Sequence, residues 1–129
     1  MTRQARLCSM GLATGRIAIG VVALVRPALM ARPWVGPAQA TGPAGVVLGR
    51  AAGGRDLALG VGVLLAAWRG DERALRGWTL AGAFCDAVDA VATATSWRAL
   101  PAGGRLAVVG TAAGAAVLGG VAALRAGRG

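Results

Sequence analysis

The chain has 129 residues, 22 of them glycine, with a mean hydropathy of +0.62 and only 4% aromatic residues. This is the length of a single domain and a composition suited to close helix contact in lipid rather than to a soluble core. The net charge of +9 rests on 14 arginines, yet it excludes nucleic-acid binding as a function. Those arginines flank apolar stretches or lie inside them, instead of gathering on one soluble face.

In chain order, the first apolar stretch is 7–25, ended by Arg26-Pro27. A connection over 26–45 follows and holds Pro27, Pro33, Pro37 and Pro43. Its start, 27–34, reads either as one or two interfacial helical turns or as a Pro-stiffened surface loop, and the prolines favour the loop. Arg3, Arg6, the apolar run and Ala38-Gln39-Ala40 together resemble a signal peptide. Arg16 interrupts that run, however, and about fifteen residues separate its end from the tripeptide, so the segment is expected to be kept.

The second stretch is 46–68, ended by Arg69-Gly70-Asp71; the third is 77–97 and the fourth 106–124. The four run from 19 to 23 residues, against the ~20 that cross a hydrocarbon core. They lack the period-two alternation of barrel strands, so the expected fold is all-α: one integral membrane domain, an antiparallel bundle of four transmembrane helices. The short connections 69–76 and 98–105 make antiparallel neighbours.

Arginine counts set the orientation. Arg3, Arg6, Arg69, Arg73, Arg76, Arg125 and Arg128 fall on one side; Arg26, Arg32, Arg98 and Arg105 fall on the other. Both termini are therefore expected on the cytoplasmic face of a bacterial inner (plasma) membrane. Trp68 and Trp78 then lie at one interface and Trp34 and Trp97 at the opposite one, as an aromatic belt requires.

Six charges sit inside these stretches and balance: Arg16, Arg50 and Arg55 against Asp56, Asp86 and Asp89. Charge at that depth costs roughly 2.5 to 3.5 kcal/mol per residue on insertion scales, so such groups must be paired or wetted. Arg16, Arg55, Asp56 and Asp86 lie near the midpoints of their spans. Asp89 and Arg50 are both displaced outward, by about 4 to 8 Å at the helical rise. All six thus occupy one slab.

On the third helix Asp86, Asp89, Thr93 and Ser96 share a face, with Thr93 and Ser96 at the periphery of the network. Arg55 and Asp56 are adjacent, point about 100° apart, and must serve different neighbours. The expected pairing bridges Asp86 and Asp89 through Arg16 and either Arg50 or Arg55, leaving the remaining arginine to Asp56. The network reads two ways: as a site for an ion, proton or polar headgroup, or as a lock that only joins the first three helices.

Gly110-x-x-x-Gly114, Gly11-x-x-x-Gly15 and Gly49-x-x-x-Gly53 allow close helix approach, read here as packing rather than a dimer seam. The sequence has no His, Tyr or Lys, which removes the usual haem and zinc ligands and the commonest general bases. No metal and no cofactor is expected. Cys8 and Cys85 lie about 12 Å apart in depth and are not expected to pair.

Asp86-Ala-Val-Asp89 is similar to the paired aspartates of CDP-alcohol phosphatidyltransferases. Ala90 stands where a glycine is expected, the Ala-Arg pair is absent, and no second aspartate pair follows, so no enzyme is expected. Gly15-Arg16 in the first stretch, Gly54-Arg55-Asp56-Leu57-Ala58-Leu59-Gly60 in the second and Asp86-x-x-Asp89 in the third resemble small four-helix membrane proteins of the DoxX-like kind, most of all uncharacterised actinobacterial members. The resemblance implies a four-helix membrane fold and, for some members, a place as small subunits of quinone-linked oxidoreductases; this sequence offers no ligand for a redox centre.

The leading expectation is a structural or accessory membrane subunit, partnered by the bilayer and by further copies or a larger complex. The alternatives are a small proton- or ion-linked transporter titrating Asp86 and Asp89, and a quinone or lipid-headgroup binder.

Overall fold

A computed structural model describes residues 2–125, and Arg128, counted above among the C-terminal charges, lies outside them. The described residues form six α-helices and one 3-10 turn, with no strand among them.

Helix α1 (Arg3–Val25) starts at Thr2, whose hydroxyl accepts a hydrogen bond from the Ala5 N–H at 3.3 Å, as an N-cap does. It ends before Pro27, because a residue preceding proline is pushed out of the helical region. There follow α2 (Pro27–Val35), α3 (Pro37–Thr41) and α4 (Pro43–Arg69). The expectation of a loop over this connection is therefore overturned. Pro27, Pro37 and Pro43 each open a helix as its first residue, where the missing N–H is unneeded and the fixed φ is already helical. Pro33 alone lies inside a helix. Gly36 separates α2 from α3 with φ at +88°, a conformation that any other residue adopts only under strain.

Gly70 ends α4 in the left-handed region, with φ at +69°, and the Asp71 N–H returns to the Ala66 carbonyl at 3.0 Å, closing a Schellman-type cap. Asp71 then caps α5 (Glu72–Thr95) by accepting from the Ala74 N–H at 2.9 Å. The 3-10 turn (Trp97–Ala99) leads into α6 (Ala102–Arg125). There the Arg105 guanidinium lies 4.7 Å from the Trp97 ring centre and donates to the Trp97 carbonyl at 2.7 Å.

Three helices are long and apolar enough to cross a membrane: α1, α4 and α6. The third expected span corresponds to α5, which is 24 residues long but is interrupted by Asp86 and Asp89 and begins Glu-Arg-Ala-Leu-Arg. It stops at Thr95, so Trp97 belongs to the turn and not to the helix.

Helix α1 lies against α4, α4 against α5, α5 against α6, and α6 against α1, while α2 crosses α4 and also touches α1 and α6. The contacts are made by small residues: Ala13, Ala23, Ala66, Ala67 and Ala123 are buried. Leu59, Val63 and Leu75 are buried with them, while many of the large apolar side chains point outward, with Val25 73%, Phe84 69% and Trp68 81% exposed. Small residues inside and bulky ones outside is the arrangement of helices packed in lipid, and it fits a membrane protein.

Helices α1 and α4 meet in a close seam. A Cβ added at Gly20 would fall 2.7 Å from the Gly53 carbonyl oxygen, and one added at Gly53 would fall 2.6 Å from Ala23 Cβ. Of the three glycine pairs noted in the sequence, Gly49 and Gly53 make such contacts, whereas a Cβ at Gly11, Gly15, Gly110 or Gly114 would meet nothing within 4 Å. Gly53→Ala is accordingly expected to destabilise the fold by about 1 to 3 kcal/mol, the usual range for overpacking. Gly54→Ala, one residue along and with no neighbour within 4 Å, is expected to be neutral or slightly stabilising. Thermal unfolding in detergent compares the two, and equal melting temperatures would rule out the seam.

Candidate functional site

Four of the five charges that meet in the interior lie near the middle of their helices: Arg16 on α1, Arg55 and Asp56 on α4, and Asp86 on α5; Asp89 follows one turn after Asp86. Arg16 is the hub. Its Nη1 donates to Asp56 at 2.7 Å, while its Nη2 donates to Asp86 and, at 3.0 Å, to the Gly82 carbonyl. The guanidinium lies flat on α5, where a Cβ at Gly82 would come 3.1 Å from Nη2. Glycine at that position, one turn before Asp86, leaves room for it.

Arg55 makes the second pair. Its Nη1 and Nη2 donate to the two oxygens of Asp89 at 3.0 and 2.6 Å, the two-pronged geometry that suits a guanidinium. Its Nη2 is also 3.5 Å from Asp56, and its Nε finds no acceptor. The adjacent Arg55 and Asp56 do serve different helices, as their divergence demands: Arg55 turns to α5 and Asp56 to α1.

Asp86 and Asp89 are held by Arg16 and Arg55, one each, within the expected pairing; one detail of that pairing, the remaining arginine given to Asp56, is corrected. Arg50 takes no part, being exposed and without an ion pair to any of the three aspartates. Its depth is right, but five residues along a helix turn it about 140° away from Arg55. Asp56 therefore has no arginine of its own and shares Arg16.

Thr93 sits at the periphery as expected. It donates to the Asp89 carbonyl at 2.7 Å and accepts from the Trp34 indole N–H at 2.9 Å. Ser96 is exposed at the end of α5 and stands apart from the network. Trp34 was expected as a belt residue; it instead pins α2 onto α5. Neither Trp34 nor Gly82 was flagged as a site residue. Gly82, Asp86, Asp89 and Thr93 share one helical stripe, which is the signal that could have found Gly82; nothing in the sequence places Trp34 there.

The paired charges form one wall of an open-sided cavity of about 480 Å³ lined by α1, α2, α4, α5 and α6. The rest of its lining is largely apolar, with Ile19, Met30, Leu48 and Val108 among the larger side chains and Gly15 and Ala52 among the smaller. Volume and lining resemble those of small-molecule sites, which are mostly apolar with a few convergent polar groups. Between 10% and 31% of each charged side chain remains accessible. Among the described residues no three His, Cys, Asp or Glu side chains gather as a metal ion would require. Cys8 and Cys85 are free thiols.

Comparison with protein-family models, with curated proteins and with solved structures gave no match.

Because Arg16 satisfies two carboxylates and a carbonyl at once, Arg16→Gln is expected to cost about 3 to 5 kcal/mol, the scale for stripping one partner from a buried ion pair. Arg50→Gln is expected to stay within about 0.5 kcal/mol of wild type, as exposed substitutions do. Chemical or thermal unfolding of the two variants side by side decides; comparable losses would mean the hub is misplaced.

Proposed function

We propose that the chain is a non-enzymatic, four-span integral membrane protein that binds a small amphipathic molecule in its central cavity. The observation that carries this reading is the placement of the charged network on a cavity wall. A network serving only to lock helices would be packed over on every side. This one keeps accessible surface facing about 480 Å³ of largely apolar space.

Counting α5 as the fourth span is part of the proposal. Its two interior aspartates each have an arginine partner, which removes the main penalty against placing it in the bilayer. With four spans both termini share a side, and the arginine distribution puts that side in the cytoplasm of a cell with its inner (plasma) membrane. The DoxX-like resemblance is retained as a proposal, supported by the fact that its motif residues Arg16, Arg55, Asp56, Asp86 and Asp89 are the ones that meet.

Within this reading Asp86 and Asp89 are not a like-charge dyad, since each faces its own guanidinium, and this weighs against a proton carrier built on that pair. The second reading, an accessory subunit of a larger membrane complex or a homo-oligomer, draws on the same pairing, because a network joining α1, α4 and α5 would organise the bundle with or without a ligand.

Mass spectrometry of the purified protein under native conditions is expected to show a retained small molecule, whether quinone, lipid or other amphiphile. Gly15→Leu projects a side chain into the cavity, where nothing lies within 4 Å of the added Cβ. It is expected to abolish retention while leaving the melting temperature close to wild type. Undiminished retention in Gly15→Leu would remove the cavity from the account. For topology, single cysteines replacing Thr2 and Glu72 in a cysteine-free background should label from one side of the membrane and one replacing Ala99 from the other. Labelling of residues 2 and 72 from opposite sides is incompatible with the four-span order.

A further inference from the structure

The charges on the cavity wall do not cancel. Arg50 stands outside, so two guanidiniums, Arg16 and Arg55, face three carboxylates, Asp56, Asp86 and Asp89. Arg55 and Asp89 close a two-pronged pair at 3.0 and 2.6 Å, and Arg16 pairs with Asp86 on the same helix face that supplies the Gly82 carbonyl. Asp56 is the surplus. It shares Arg16 Nη1 at 2.7 Å and lies 3.5 Å from Arg55 Nη2, between two cations already matched to other aspartates.

A surplus carboxylate away from bulk water is neutralised either by a proton or by a countercharge, and the accessible, largely apolar space beside it has room for the second. Among the described residues no three His, Cys, Asp or Glu side chains gather as a metal site would need. The remainder of the cavity is apolar and carries the Trp34 side chain, and an indole face attracts organic cations.

We propose that the cavity takes a hydrophobic organic monocation, a quaternary ammonium, phosphonium or alkylated amine, whose charge answers Asp56 and whose apolar body fills the space between α1, α2, α4 and α6. This rests on the reading of the cavity as a ligand site and adds the sign of the ligand's charge to it.

Asp56→Asn isolates the idea. It leaves Arg16 with Asp86 and Arg55 with Asp89, two balanced pairs, so the fold is expected to survive; a second variant, Thr111→Lys, supplies a cation from α6, which also lines the cavity, and replaces no residue of the network. The probes are tetraphenylphosphonium and tetraphenylborate, which share a shape and differ in sign, measured by equilibrium binding to the protein in nanodiscs with empty nanodiscs as the blank. Wild type is expected to prefer the phosphonium by about tenfold or more, a difference of roughly 1.4 kcal/mol. Both variants are expected to lose that preference, and Gly15→Leu to lose binding of either probe.

Equal binding of both probes, abolished by Gly15→Leu, would overturn the cationic class while leaving the cavity as a binding site. A preference for the phosphonium that survives in both Asp56→Asn and Thr111→Lys would overturn the role given to Asp56. Binding of neither probe above the blank would also overturn the proposal, and the retained-ligand measurement on wild type and Gly15→Leu would then decide separately whether the cavity binds anything.

Discussion

One guanidinium fixes the relation between three helices. Arg16 reaches Asp56 on α4 and both Asp86 and the Gly82 carbonyl on α5, and no other side chain on α1 could do so. Rotation by one residue swings a side chain about 100° around the helix, which would leave Arg16 among alkyl groups and two carboxylates without their donor. Buried ion pairs add little net stability over well-packed apolar residues, yet leaving one half unmatched is severely unfavourable. Register is therefore specified chiefly by the cost of the alternatives. The Gly20–Gly53 seam belongs to the same logic: α1 and α4 must approach closely for Arg16 and Asp56 to meet, and the glycines remove what would hold them apart.

The sequence made depth legible and azimuth only in part. Helical rise alone puts Arg16, Arg55, Asp56 and Asp86 at one level, and the structure brings those four together with Asp89. Arg50 lies in the same slab yet faces away, because the angle between two residues on a helix selects a neighbour only once the neighbour's position is known. Two of the three glycine pairs make no close contact for the same reason. Spacing of four residues permits close approach but does not say which side the partner occupies, and only Gly49 and Gly53 face one. The prolines after α1 were misread for a different cause. Four prolines in 20 residues suggest a loop when counted, whereas proline is well accommodated as the first residue of a helix, and three of the four stand there. Position relative to an unseen helix start, not composition, decides which effect wins.

That misreading hid the cavity. With 26–45 as an outside loop, α1, α4, α5 and α6 would close on themselves. As α2, the segment folds back over α4, held at one end by the Gly49–Pro27 contact and at the other by the Trp34–Thr93 hydrogen bond. It thereby lines one side of a space whose other walls are the charged network, glycine, alanine and a few aliphatics. The small residues that allow α1 and α4 to touch at Gly20 and Gly53 leave Gly11 and Gly15 with nothing opposite them. The same side-chain size gives contact on one stretch of a helix and a gap on the next.

In the proposed reading the cleft of about 480 Å³ beside the charged wall is a ligand site, mostly apolar with a few convergent polar groups. Water alone satisfies the charged wall and gains nothing from Ile19, Leu48 or Val108; a lipid chain alone satisfies those and strands the carboxylates. In the proposed reading, a molecule with a polar group and an apolar body meets both walls at once. The proposed cationic class follows from the count of two guanidiniums against three carboxylates, an imbalance that an anion would deepen and a cation would cancel.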